Sequence, residues 1–529
     1  MGVSMTARDA NAADHVASLG AEEENHQVKP ANRRIVTVAL MLAMSVTALE
    51  QTVVSPAMPT IIGQLKGVDI YPLVFSAYLL AATVTTPLYG KLADRLGRKR
   101  VLLFGLALFG VGSMMSGLSR SMPGLIGMRV VQGMGAGAVM PIVLTLIGDL
   151  YTLQDRAKVQ GWFSAVWGVS SLAGPTIGGL LTDYLSWRWV FFVSVPAGLA
   201  AMWMVGRHVH EHTEIKARAQ IDALGALWLA AGSTTLLMAV LDNPVHARLG
   251  APALLVLSAV FISLFLWQER RAADPVLPLD LLMRPMIAAS FAGSFLIGGL
   301  LFGIDTYVPL YVQGVRGGTA SQAGWAITPL FLSWSISVAV AAKVVVRLGF
   351  QATALIGSVL IASGSAALAW GTFRPEWSGP LFAIGMVVIG LGMGPTSLSY
   401  ILCVQHAVPW SRRGVATGAV TFFRTIGGAL GVGMLGALLS LELARHLTGL
   451  RGIDVAAALR PETHARLTPE ALELIRHALG LSLRAVFVTM LALAVLGLGC
   501  AARLPQGRAD SHGPAQEPED DLVAAGVEH

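Results

Sequence analysis

The sequence predicts an all-α polytopic membrane protein: two pseudo-symmetric six-helix bundles with a two-helix insert between them, fourteen transmembrane helices in total. Three observations carry this. Of 529 residues, 54% are hydrophobic and only 13% charged, whereas a soluble chain carries about a quarter of its residues charged. The apolar residues fall in runs of roughly 20, the length at which a helix crosses a bilayer. Segments of the two halves also repeat at a nearly constant offset. The formal charge of +6 punctuates the loops instead of collecting on one soluble face, so it does not point to nucleic acid.

Taken in order, residues 1–34 are polar and read as a cytoplasmic tail without a cleavable signal peptide. The N-terminal bundle, 35–206, holds spans 1 to 6 at 35–61, 72–90, 101–119, 122–148, 158–182 and 188–206. A linker, 207–285, holds spans 7 and 8 at 221–241 and 251–268. The C-terminal bundle, 286–503, holds spans 9 to 14 at 286–313, 322–346, 351–371, 378–404, 414–439 and 483–503. Its long outer loop, 440–482, contains Thr468-Pro469-Glu470 followed by Leu472, Ile475 and Leu479, the pattern of a capped amphipathic helix. Residues 504–529 read as a disordered cytoplasmic tail.

The loops orient the chain. On one side they carry about one base each: Lys66, Arg120, Arg188, Arg248, Arg316 and Arg374. On the other they carry two to five, as in Arg156 with Lys158, or Arg412 with Arg413. The basic side faces the cytoplasm, and an even number of spans returns the C-terminus there.

The repeat is residue-specific. An offset of 252 places Lys91 on Lys343, Arg95 on Arg347, Leu96 on Leu348 and Gly97 on Gly349. An offset of 257 places Gly133, Gly135 and Gly137 on Gly390, Gly392 and Gly394, and Gly174 on Gly431. Such symmetry marks a transporter with its substrate site between two related bundles. Two charges are not repeated: Asp94 corresponds to Val346 and Arg129 to Met386. Charges kept in one half only are less expected to be scaffold, which points to the N-terminal bundle for function.

Charges inside spans are costly and face a cavity or a partner. Four stand out: Glu50 in span 1, Arg129 in span 4, Asp305 in span 9 and Arg424 in span 13. Sixteen residues from Arg34 to Glu50 make about 24 Å of helix, and Met122 to Arg129 roughly 10 Å. In a core about 30 Å thick the two reach similar depth, so a Glu50–Arg129 interaction is geometrically open, either as a proton site or as a permanent ion pair that orders the bundle. Asp305 lies 255 positions after Glu50. It reads as a pseudo-symmetric partner or as an outer-end residue in water. Arg424 lines the cavity or seals it.

The loop Gly90–Leu102, GKLADRLGRKRVL, places Gly90, Asp94, Arg95, Gly97, Arg98 and Lys99 in an order that topology alone does not need. It resembles the signature loop of the major facilitator superfamily of secondary transporters. Leu49, Glu50, Thr52, Val54, Ala57 and Pro59 resemble the span 1 pattern of its fourteen-span drug exporters, with Glu50 in place of the usual Asp and Ser55 in place of Asn. Arg129, Gln132, Gly133 and Gly135 match the family's span 4 segment. Gly174, Pro175, Gly178 and Gly179 match the Gly-Pro-x-x-Gly-Gly segment typical of antiporters, and FFRTIGGALG around Arg424 also looks like this branch.

The resemblance implies a proton-coupled antiporter of the drug-efflux kind. It would export small lipophilic or cationic compounds across the cytoplasmic membrane by alternating access. Glu50 would carry the proton with Arg129 beside it, and Asp305 and Arg424 would share the cavity. Asp94 would latch the cytoplasmic gate by accepting hydrogen bonds from a helix N-terminus in the opposite bundle. The expected partners are a small-molecule substrate, a proton as coupling ion and the lipid bilayer, with no cofactor, no metal and no nucleic acid. A monomer is one open arrangement, and accessory envelope proteins stay open too. A nutrient uptake carrier and a non-transporting sensor are the alternatives.

Other signals are weaker. GMGAGAV lies inside a span with no preceding strand, so it is not a dinucleotide site. His208, His210 and His212 have no second ligand cluster. Cys403 and Cys500 both fall in spans, which disfavours a disulfide framework. Trp162, Phe163 and Trp167 suit either a drug or lipid. No nucleophile–base or metal constellation is visible, so an enzyme is not expected.

Overall fold

A computed structural model describes residues 30–151, 153–209, 222–240, 248–272, 279–408, 413–446 and 469–506. Residues 1–29 and 507–529 of the two tails, His210, His212 and Thr468 lie outside these residues, as do the Asp94 and Phe163 side chains. The described residues are helical, with short connections and no strand.

Twelve segments among them are long and apolar enough to cross a membrane. The expectation of fourteen needs two more. One comes from dividing Ala320–Phe373 into spans 10 and 11 at Gly349, where the helical conformation breaks (φ 82°). The other is the 32-residue helix Leu153–Tyr184, span 5, which is not among the twelve.

Sequence explains the irregular spans. Span 1 runs as Pro30–Val53, a 3-10 turn Ser55–Ala57, and Met58–Leu65. Pro56 and Pro59 each remove a backbone donor there. Span 9, Pro285–Leu310, continues into a π-helical turn, Tyr311–Val315, just after Pro309. Span 14 differs from expectation. The helix runs from Pro469 to Ala502 without interruption, so the amphipathic segment and the span are one element. Leu479 is buried in the same core as Leu483 and Phe487, and Ile475, one turn earlier, is buried as well. The apolar face stays in register, and no proline separates the two parts.

The repeat is visible in three dimensions. Gly97 and Gly349 both hold positive φ, 95° and 82°, at equivalent turns between spans 2 and 3 and between spans 10 and 11. A side chain is strained in that region. Gly133 abuts the Tyr78 carbonyl of span 2, and Gly390 abuts the Leu330 carbonyl of span 10. Gly135 packs on Gly105 and Phe109 of span 3, and Gly392 on Gly357 and Ile361 of span 11. Small residues let these backbones approach closely in both halves.

Spans 7 and 8, Ala223–Val240 and Ala251–Glu269, pair through the Ser258 hydroxyl, which donates to the Gly232 carbonyl at 2.8 Å. Leu237 of span 7 meets Gly433 of span 13. The insert thus stands beside the line where the two bundles meet.

Candidate functional site

Span 4, Met122–Leu150, carries Arg129 inward to Glu50 of span 1. Arg129 Nη1 lies 2.7 Å from Glu50 Oε1, and the two side chains are 1% and 0% exposed. The same nitrogen donates to Gln132 Oε1 at 2.7 Å, and Nε donates to the Val74 carbonyl at 3.2 Å. The guanidinium lies 4.1 Å from the centre of the Tyr78 ring. Gln132 in turn donates to the Ser113 hydroxyl at 3.1 Å. The second carboxylate oxygen, Glu50 Oε2, has no hydrogen-bond partner among the described residues. The arrangement holds a buried carboxylate in one orientation and leaves one oxygen open to a proton.

Asp305 is not at a wet end of span 9. It is 4% exposed, and its backbone carbonyl accepts from the Ser55 hydroxyl of the opposite bundle. Burial at the seam overturns the water-exposed alternative. Its Oδ1 has no partner among the described residues. Other bonds gather in the same region. Gln313 donates to the Pro56 carbonyl at 2.7 Å, and Ser76 donates to the Ala429 carbonyl at 2.7 Å. The Tyr71 and Tyr307 rings meet edge-on at 6.1 Å. These contacts join the bundles in the half remote from the basic loops.

The Gly-Pro segment of span 5 is wedged into this seam. Gly174 and Gly178 face Thr52 and Val53 of span 1, while Gly179 faces Ala320 and Ser321 of span 10. The Pro175 carbonyl sits against Gly324 of span 10. The helix continues through Pro175. One turn later, the Asp183 carboxylate accepts from the backbone N–H groups of Ala320 and Ser321 at 3.0 and 2.8 Å. Sequence reasoning missed Asp183 because a lone acid at the end of a span is ordinary, and its partners lie in the other bundle.

The signature loop is only partly engaged. Gly97 makes the turn, and Lys99 donates to the Gly206 carbonyl at the end of span 6 at 2.7 Å. Arg95 is exposed and Arg98 half-buried. A Cβ added at Gly90 would meet nothing within 4 Å. The latch expected at Asp94 falls outside the described side chains.

Arg424 stands apart from the ion pair. It is partly exposed on span 13, Arg413–His446, and its carbonyl abuts Gly298 of span 9.

Comparison with known proteins agrees with this architecture. A family model for the Major Facilitator Superfamily matches residues 40–432. The multidrug transporter protein MdtP of Bacillus subtilis (strain 168) is 34% identical over 79% of this chain and 78% of its own length. Multidrug resistance protein 3 of the same organism is 31% identical over 78% of this chain and 80% of its own. Among solved structures, a bacterial homolog of the human lysosomal transporter Spinster, in an inward-facing and unoccupied conformation, superposes with a TM-score of 0.65. It is 15% identical and covers 90% of this chain and 98% of its own.

Proposed function

The chain belongs to the Major Facilitator Superfamily, is a multi-pass membrane transporter of small molecules, and from that premise we propose that it is a proton-coupled antiporter exporting small lipophilic or cationic compounds across the cytoplasmic membrane. Relatives named as a multidrug transporter protein and a multidrug resistance protein support the substrate class. The basic loops are assigned to the cytoplasm, which places both termini there and the joined half of the seam outside.

One observation carries the coupling. Span 1 holds the buried Glu50 of the ion pair and, five residues later, the Ser55 that bonds the opposite bundle at Asp305. A proton arriving on Glu50 cancels its charge and weakens its hold on Arg129. That loosens span 1 in its own bundle, and the seam it contributes to opens. Substrate leaves outward, the proton leaves inward after the switch, and the bundles rock around the site between them. The driving force is adequate: one pH unit supplies about 1.4 kcal/mol per proton, and 100 mV adds about 2.3 kcal/mol per net charge moved.

The test uses everted membrane vesicles from cells producing the protein. An imposed acid lumen drives ethidium accumulation, and nigericin abolishes it. Accumulation that ignores the pH gradient, or net loss of ethidium from the lumen, overturns the antiport reading.

A further inference from the structure

Arg424 is a cation without a counter-ion among the described residues. It lies eleven residues into the helix Arg413–His446, about 16 Å from its start. No described residue forms a hydrogen bond, ion pair or ring contact with its guanidinium, and the side chain retains accessible surface. The two intramembrane acids are elsewhere. Glu50 is held by Arg129. Asp305 lies seven residues beyond Gly298, the residue against which the Arg424 carbonyl packs, a rise of about 10 Å along span 9. An arginine at this depth does not face lipid. Span 13 also touches span 2 at the seam, through Ala429 and Ser76. By that rule the accessible part of Arg424 faces the interior of the helix assembly.

The surroundings are selective. Thr417 and Thr421 precede Arg424 at helical spacing, and both are partly exposed. They form a polar stripe leading from the basic end of the helix, with Gln405 of span 12 donating to the Thr417 hydroxyl at 2.8 Å. Phe422 and Phe423, also partly exposed, precede Arg424 in the helix. Phe423 stacks on Phe291 of span 9 at 4.7 Å. A planar fork of donors suits a carboxylate, and the phenylalanines on the same turn of the helix suit an aromatic ring.

We propose that Arg424 anchors the anionic group of a planar aromatic substrate, so that the compounds carried include aromatic carboxylates as well as cations. The idea rests on the export reading for the direction of movement, but not for binding. Fluorescein, a planar aromatic carboxylate, and ethidium, a planar cation, are the probes. Binding to the purified full-length protein is read by fluorescence anisotropy for the wild type, Arg424→Gln and Arg424→Lys. Arg424→Gln is expected to weaken fluorescein binding about tenfold or more, taking a charge-assisted hydrogen bond as the guide. Ethidium binding stays within about twofold, and Arg424→Lys falls between the other two for fluorescein. Equal loss for both dyes makes Arg424 structural and overturns the proposal. So does unchanged fluorescein binding in Arg424→Gln, or a wild type that does not bind fluorescein. Everted vesicles run with both dyes separate the two readings: if neither dye accumulates while fluorescein binding still depends on Arg424, export fails and the anion site stands.

Discussion

The Asp183 carboxylate at the end of span 5 accepts the backbone N–H of Ala320 at 3.0 Å and of Ser321 at 2.8 Å, so one bundle caps the first helical turn of the other. A helix N-terminus presents unsatisfied donors and partial positive charge, which a carboxylate satisfies. The sequence suggested this device at Asp94, on the basic side. In the structure a carboxylate performs it at the opposite end of the molecule.

Asp183→Asn keeps size but weakens a charge-assisted contact that holds the seam. The expected result is a population shift of about tenfold toward states open at this end. Spin labels at Tyr184 and Arg316, both exposed and in different bundles, report it as a new long-distance population by pulsed electron resonance. An unchanged distance distribution would show that the cap does not hold the seam.

Glu50→Gln removes the charge change that protonation provides. Efflux driven by a pH gradient should be lost while the protein still inserts and binds ethidium. Wild-type efflux rates in this variant would remove Glu50 from the coupling role.

Arg129→Met leaves Glu50 buried without its partner, a change worth about 3–5 kcal/mol of destabilisation. Methionine is the residue at the equivalent position of the second half, Met386, which is fully buried there. Adding Glu50→Gln to Arg129→Met should therefore recover much of the lost thermal stability in detergent. A double variant no more stable than Arg129→Met alone would contradict the ion-pair account.

Gly178→Ala pushes a Cβ into the Val53 carbonyl, which is backbone and cannot rotate away. Overpacking of this kind costs about 1–3 kcal/mol, and the melting temperature should fall. Gly90→Ala meets open space and should leave it unchanged. If Gly90→Ala nonetheless slows transport at normal stability, the signature glycine is needed in another conformation of the cycle.

Asp305→Asn should impair a permanently cationic dye more than a neutral substrate. A second acid at the seam attracts positive charge once the bundles part, and its loss corresponds to about 1–2 kcal/mol, or roughly tenfold in affinity. A paired efflux assay with ethidium and a neutral dye reads the difference. Equal losses would make Asp305 a coupling or seam residue instead.

Much of this protein was legible along the chain because a helix in a membrane satisfies its own backbone hydrogen bonds. A run of about 20 apolar residues and its flanking charges therefore suffice to place it. The offsets that pair Gly97 with Gly349 and Gly133 with Gly390 foretold equivalent turns and packing contacts, since both sides of each contact were copied together. The Glu50–Arg129 pair was reachable from helix rise alone. Local pattern was a poorer guide to span 14, where the break expected before residue 483 does not occur and burial of Ile475 and Leu479 carries the helix on.

The sequence by itself determined most of the helices, their pairing into related halves and the similar depth of Glu50 and Arg129, all of which depend on spacing within one segment or on its copy. Only the tertiary structure decided which end of the seam is joined, that Asp305 is buried against Ser55, that Asp183 caps Ala320, and that Arg424 meets no acid among the described residues. These depend on which faces of distant helices meet. Ser55 and Asp305 lie 250 residues apart and Asp183 and Ala320 lie 137 apart, and no periodicity within a helix records its neighbour across the seam.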